Sequence, residues 1–312
     1  MFETVAPVLF VLLAWWASTG AILYLDGLPR RTYPYSMAAM TAVLVAAFYG
    51  LAASADDTSS AGAYLAFACA LAVWGWQEMG FLMGFVTGSR RTPCPPHARG
   101  FARLRYATET ILHHELALAV SGIGIAAATW GSANQTGTWT FLILWTMRLS
   151  TKLNLFLGVP NLSAEFLPPH LGYLASYFAK KPMNLLFPFS VTLATGAAGF
   201  AWGAVSGGSA GGAAGDGATS AVLLATILSL GVLEHWFLVV PLPVNNLWEW
   251  GLRSREPRGG KTDGRGLRLG LVPAGGDLRA HAVSADAGRC RVRPIEALAV
   301  SGGDVSMKRG AP

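Results

Sequence analysis

Residues 107–130 read ATETILHHELALAVSGIGIAAATW. Glu109, His113, His114 and Glu115 crowd the beginning, and from Leu116 to Trp130 no side chain is charged. An α-helix needs about 20 predominantly apolar residues to cross the hydrocarbon of a bilayer. The stretch therefore reads as a transmembrane helix whose mouth is lined with two imidazoles and two carboxylates. Either feature alone is common; the pairing sets both the fold class and the question of function.

The span itself is expected at roughly 108–130, and six further runs of the same kind flank it, at roughly 4–25, 35–54, 62–87, 137–158, 185–205 and 220–241. The composition agrees. Of the 312 residues, 53% are hydrophobic and only 13% charged, against about 25% charged in a typical soluble domain, and the mean hydropathy is +0.43. The expected fold is all-α: a polytopic membrane protein of seven transmembrane helices over residues 1–252, followed by a Gly/Arg-rich tail over 253–312 that is expected to be disordered. The first run is not a cleavable leader, since Glu3 precedes it and no small-residue cleavage site stands before Arg30. Cys69, Cys94 and Cys290 are far apart in sequence, which argues against a disulfide framework or a cysteine zinc site.

Charge then sorts the connections. Arg30 and Arg31 follow the first run, Arg90, Arg91, Arg99, Arg103 and Arg105 the third, Lys180 and Lys181 the fifth, and Arg253, Arg255 and Arg258 the seventh. The N-terminus and the segments ADDTSSAG (55–62), GSANQTG (131–137) and SGGSAGGAAGDG (206–217) contain no Lys or Arg. Cytoplasmic loops retain positive charge, so the N-terminus is expected outside and the C-terminus in the cytoplasm. The formal net charge of +6 is thus a sidedness signal and not a nucleic-acid footprint. Between the fifth and sixth runs, PPHLGYLASYFAKKP (168–182) is too short to span. Its Leu171, Leu174, Tyr177 and Phe178 are spaced as an amphipathic helix lying on the membrane surface would space them. Gly80-x-x-x-Gly84 and Gly199-x-x-x-Gly203 suggest close helix packing, the tryptophans at or near the runs suggest interfacial anchors, and Pro188 suggests a kink in the sixth run.

With that topology, the ionisable side chains of the spans share one depth. Glu78, beside Gln77, lies in the inner half of the third run. Glu109, His113, His114 and Glu115 lie at the inner end of the fourth. Arg148, Lys152 and Asn154 lie in the inner half of the fifth, Glu165 and His170 in the loop after it, and Glu234 and His235 in the inner half of the seventh. An ionisable group in a bilayer costs about 2.5–3.5 kcal/mol on insertion scales, so one shared polar site is the economical reading. Glu78, His113, Glu115, His170, Glu234 and His235 are the candidate metal ligands, because histidine with carboxylate and no cysteine suits iron, manganese or zinc. Gln77, Glu109, His114, Arg148, Lys152, Asn154 and Glu165 are the supporting polar residues. A histidine could instead bind the magnesium of a chlorophyll-type ring. The plainer alternative is a set of ion pairs: Glu109 with His113, and Arg148 and Lys152 as counter-ions for Glu78 or Glu234, with Lys152 also able to reach the headgroups. Glu-x-x-His and His-x-x-x-His motifs are both absent. A transporter would need polar residues lining both leaflets or broken midplane helices, and the outer halves, which hold no ionisable residue in the third, fourth, fifth and seventh runs, look too apolar.

Several stretches together resemble one family. They are WWASTGAILYLDGLPR (15–30), WGWQEMGFLMGFVTGSRR (74–91), HHELAL (113–118), the long block 139–193 beginning WTFLILWTMRLSTKLNLFLGVPNL, and LEHWFLVVPLP (233–243). Over about residues 5–252 the chain is similar to the photosynthetic complex assembly protein 2 family, also called PuhE. The tail from about Arg258 is not. The resemblance implies a multi-span protein of the inner (intracytoplasmic) membrane of anoxygenic phototrophs. Its partners would be membrane lipids, reaction-centre or light-harvesting subunits or other assembly factors, and it could handle bacteriochlorophyll or a precursor. It implies no catalytic residue. A membrane metalloenzyme acting on a tetrapyrrole or lipid-like substrate through the His/Glu set is the alternative.

Overall fold

The computed structural model describes residues 2–210 and 217–255. The tail expected to be disordered falls almost wholly outside the described residues.

Seven long helices follow one another: α1 (Phe2–Asp26), α2 (Tyr33–Ala53), α3 (Ser60–Leu82), α4 (Gly100–Ala128), α5 (Thr136–Leu157), α6 (Leu186–Ala210) and α7 (Ala218–Phe237). Among the described residues the only extended pairing is one isolated bridge, Val159 with Lys180. Six of the helices are long and apolar enough to cross a membrane; α5, with Arg148 and Lys152 in its second half, falls below that composition. It is nonetheless an integral member of the bundle, packed against α3, α4, α6 and α7.

α3 is the hub. It touches α1, α2, α4, α5 and α7, and 61% of its most apolar window is buried inside the protein, against 17% for α1, α2 and α6. Its small residues Ala63, Ala66, Cys69 and Ala70 let neighbours approach, while Phe67 and Val73 fill the gaps. The outer helices present Leu9, Leu13, Val45, Val120, Ile123, Leu193 and Phe200 outward, as chains facing lipid do.

The connections gather into two ends. At one end, Asn134 on the α4–α5 turn reaches the carbonyls of Ser54 and Asp57 on the α2–α3 turn. Nearby, Thr136 meets Ser220 and Ser60 meets Thr219. At the other end, Arg90 bonds Tyr177, Arg103 bonds the carbonyls of Phe156 and Tyr177, and Arg255 bonds Asp26 and the carbonyls of Glu165 and Phe166. The basic connections therefore share one end and the non-basic ones the other.

Several elements depart from expectation. α3 stops at Leu82 and not near residue 87: Gly84 turns left-handed at φ +82°, and the N–H groups of Phe85 and Val86 both return to the Gly80 carbonyl, a glycine-terminated helix end. Gly80 and Gly84 are thus not one helix-packing face. Among the described residues a Cβ added at Gly199 or Gly203 would meet nothing within 4 Å, so that pattern does not mark a close helix approach there. α4 begins at Gly100, well before the expected residue 108, because 101–107 continues the helix beyond the apolar run. Pro188 sits in the first turn of α6, where its missing N–H is harmless and no kink is needed. Residues Pro169–Tyr177 form a 3-10 segment, and Leu171 and Leu174 turn inward onto Phe81, Leu82 and Ile111. The segment covers the end of the bundle; its apolar side faces protein.

Candidate functional site

The α4 stripe Thr110, His114, Leu118, Ser121, Ile125 is the buried one. Its spacing of four and three residues keeps it on one face. His113 lies 100° round the helix and is exposed, so the two adjacent histidines separate: His114 enters the bundle and His113, an expected ligand, does not. Glu109 also stays near the surface, 3.5 Å from Arg105 one turn earlier, and not with His113.

Glu78, 8% exposed on α3, accepts from Arg148 Nη2 of α5 at 2.8 Å. Its other oxygen faces His114 Nε2 at 3.8 Å, beyond a hydrogen bond, and neither nitrogen of the fully buried His114 ring has a partner among the described residues. The ring rests against Phe81, centroids 4.7 Å apart. One helical turn along α5, Lys152 Nζ donates to Glu115 Oε1 at 2.6 Å, and Trp145 Nε1 donates to Glu115 Oε2 at 3.2 Å. On α7, Glu234 accepts from Trp15 Nε1 of α1 at 2.7 Å and lies within electrostatic reach of Arg148. Glu78, His114, Glu115, Arg148, Lys152 and Glu234 thus form one zone contributed by α3, α4, α5 and α7.

The remaining expected residues are elsewhere. His235, 1% exposed, donates from Nδ1 to the Gly231 carbonyl, and its Nε2 accepts from the Ser150 hydroxyl, both at 2.8 Å. With both nitrogens satisfied it locks α7 to α5. Asn154 bonds the Ser150 carbonyl and accepts from Asn184, which also caps α6 at Phe187 N–H. Gln77 ties α3 to α4 through Ser121 and the Ala117 carbonyl. His170 sits on the 3-10 segment beside Gly84, and Glu165 is at the surface, its main-chain carbonyl accepting from Arg255.

The expected metal cage therefore does not assemble. His113 points away, His170 and His235 are held apart, and the acids of the zone face cations or indole. Among the described residues no group of three His, Cys, Asp or Glu side chains could hold a metal ion. The donor set does not fit iron, manganese or zinc.

What the zone adjoins is a cavity of about 390 Å³. Its wall is mainly apolar, supplied by α1, α3, α4, α5, α7 and the segment after α5; Ile22, Leu71, Ile143, Leu144, Ile227 and Phe237 are typical. Glu78, Arg148, Lys152 and Glu234 bring its charged groups. Arg148 keeps 38% of its side-chain surface accessible because it lines this space. No histidine is among the lining residues, so a magnesium-bearing ring would find no imidazole ligand there. Such a site, apolar with a few convergent polar groups, suits an amphipathic small molecule. Sequence reasoning missed Trp15 and Trp145. Both looked like interfacial anchors, and only tertiary contact turns their N–H groups to buried carboxylates.

Residues 1–259 match a family described as "Protein of unknown function (DUF3623)". The chain belongs to this family. A relative in Rhodobacter capsulatus, titled "Uncharacterized 30.4 kDa protein in puhA 5'region", is 42% identical over 252 residues, covering 80% of this chain and 90% of the relative. No solved structure matches.

Proposed function

We propose that this DUF3623 protein is a multi-pass factor of the bacterial inner (intracytoplasmic) membrane that assists assembly of the photosynthetic apparatus. In this reading it holds an amphipathic pigment- or lipid-like molecule in the cavity at its basic end. The observation that carries the reading is the apolar chamber ending in Glu78, Arg148, Lys152 and Glu234. Apolar walls take a hydrocarbon or macrocycle body, and Arg148 and Lys152 offer hydrogen bonds to carbonyl or carboxyl oxygens at its polar end. The photosynthetic context comes from the sequence resemblance and from the relative's position in the puhA 5' region of a phototroph. The clients would be reaction-centre or light-harvesting subunits. All seven helices cross the membrane, with α5 shielded by its neighbours and its cations paired, and the basic end faces the cytoplasm.

The test is complementation in a phototroph lacking the gene. Wild type should restore the near-infrared absorption of the photosynthetic complexes. Glu78→Gln with Arg148→Met, at matched protein level, should restore at most about a tenth of it, the scale expected when the cavity's polar end is lost. Unchanged complexes in the deletion strain would overturn the assembly role.

A further inference from the structure

A second cavity, of about 320 Å³, lies at the same end of the bundle and belongs to none of the residues assigned to the first. Three connections and the start of α2 build it: Arg30 from the α1–α2 turn, Tyr33, then Gly84, Thr87 and Arg91 from the α3–α4 connection, and His170, Leu171 and Tyr173 from the 3-10 segment. Residues three and four apart on the 3-10 segment serve the two cavities separately, with Leu174 and Tyr177 lining the first and His170 and Tyr173 the second.

The charge of this pocket is one-sided. No carboxylate is among its lining residues. Among the described residues the Arg30 side chain makes no hydrogen bond or ion pair, and Arg91 gives one N–H to the Gly84 carbonyl at 3.3 Å and has no ion-pair partner. Asp26, at the end of α1 nearby, is taken up by Arg255, whose Nη2 donates to its two oxygens at 2.8 and 3.1 Å. Of the polar atoms at the wall, His170 Nε2 is buried without a hydrogen-bond partner, while the Thr87 and Tyr173 hydroxyls are buried beside each other and interact. The His170 imidazole is pushed below its ordinary pKa, first by burial and then by Arg30, with Arg255 and Arg91 adding to the effect. Burial is the larger cause, the neighbouring guanidinium charges act in the same direction, and a hydrogen bond with the Leu82 backbone opposes them.

Gly84 sets the width of the pocket. Its φ of +82° excludes ordinary side chains, and a Cβ there would stand 3.2 Å from the His170 ring.

From this juxtaposition we infer that the second pocket is a binding site for a phosphoryl oxyanion, contacted by Arg30 and Arg91 and by the His170, Thr87 and Tyr173 side chains. Guanidinium groups bind phosphate through paired N–H donors. Basic pockets between membrane helices are where anionic headgroups settle. The ligand is either the headgroup of an anionic phospholipid or free phosphate, and both satisfy the same atoms. This inference does not depend on the role proposed for the first cavity.

The experiment uses the full-length protein in neutral detergent, read by native mass spectrometry and thermal melting. Three probes are added separately: phosphatidylglycerol, phosphatidylcholine and inorganic phosphate. Wild type should retain one phosphatidylglycerol in preference to phosphatidylcholine, or be protected against melting by phosphate alone. The first outcome identifies a lipid headgroup and the second a free anion, and either supports the site. Arg30→Gln, which removes a side chain with no partner among the described residues and so should leave folding intact, should weaken the response about tenfold, as should Arg91→Gln. Arg99→Gln, exposed and outside the pocket, should leave it unchanged. Wild type that shows no preference for phosphatidylglycerol and no response to phosphate would overturn the inference. So would a response in Arg30→Gln and Arg91→Gln equal to that of wild type.

Discussion

Arg148 is the residue on which the polar zone turns. It holds Glu78 at 2.8 Å and stands within electrostatic reach of Glu234 and Glu115. Replacing it with Met leaves Glu78, 8% exposed, without its cation. Breaking a sealed buried pair costs about 3–5 kcal/mol. Because Arg148 faces the cavity, screening there lowers the expected loss to about 2 kcal/mol. The double variant Glu78→Gln with Arg148→Met removes both charges and should recover about half of that loss. Unfolding free energies of the two variants in bicelles check this; a double variant less stable than Arg148→Met would mean that the pair is not the dominant interaction. The same scale explains what was legible. The sequence placed ionisable groups at one depth, but not which of His113 and His114 points inward. In an almost wholly apolar helix the buried and lipid-facing sides have similar hydrophobicity, so periodicity cannot assign the phase. Only the Thr110, His114, Leu118, Ser121 stripe, with its small and polar residues, hinted at it.

At the scale of elements, the α3–α4 connection wedges against α4. The Thr87 carbonyl accepts from the His114 backbone N–H at 2.8 Å, and Arg90 N–H donates to the Glu109 carbonyl at 3.1 Å. Gly88 permits this approach, since a Cβ there would meet the Glu109 carbonyl oxygen at 2.1 Å. The clash is with backbone, which cannot swing aside as a side chain can. Gly88→Ala should therefore cost about 3 kcal/mol, the upper part of the range for overpacking, and lower the melting temperature of the detergent-solubilised protein. A melting temperature equal to wild type would show that the wedge yields. The wedge was invisible beforehand because residues 83–87 continue an apolar run that reads as helix. The left-handed turn at Gly84 ends that helix, and its signal, one glycine among many, is weak. α5 shows the converse. Its polar residues lower its hydropathy below that of its neighbours, yet Arg148, Lys152 and Asn154 all have internal partners, and its place in the bundle was legible from length.

For the whole molecule, the alternation of basic and non-basic connections was the strongest signal in the sequence. The two ends of the bundle repeat it: Arg90, Arg103 and Arg255 make their contacts at one end, Asn134, Thr136 and Ser60 at the other. Reporter fusions test the orientation proposed from it. A cytoplasm-active reporter after Arg99 and a periplasm-active one after Ser132 should both be active, and the reverse pattern would invert the topology. Neither cavity could be read from the sequence, because each is walled by residues from four or more segments that only folding brings together. The role proposed for the protein in assembly requires the first cavity to be a container. The most direct measurement is mass spectrometry of the organic extract of protein purified from a phototroph, with Thr19→Phe, a substitution that places a ring at the cavity wall, purified alongside. The account predicts about one amphipathic pigment- or lipid-like molecule per wild-type chain and its loss from the variant at unchanged protein yield. A wild-type extract holding no such molecule above the level of the variant would contradict it.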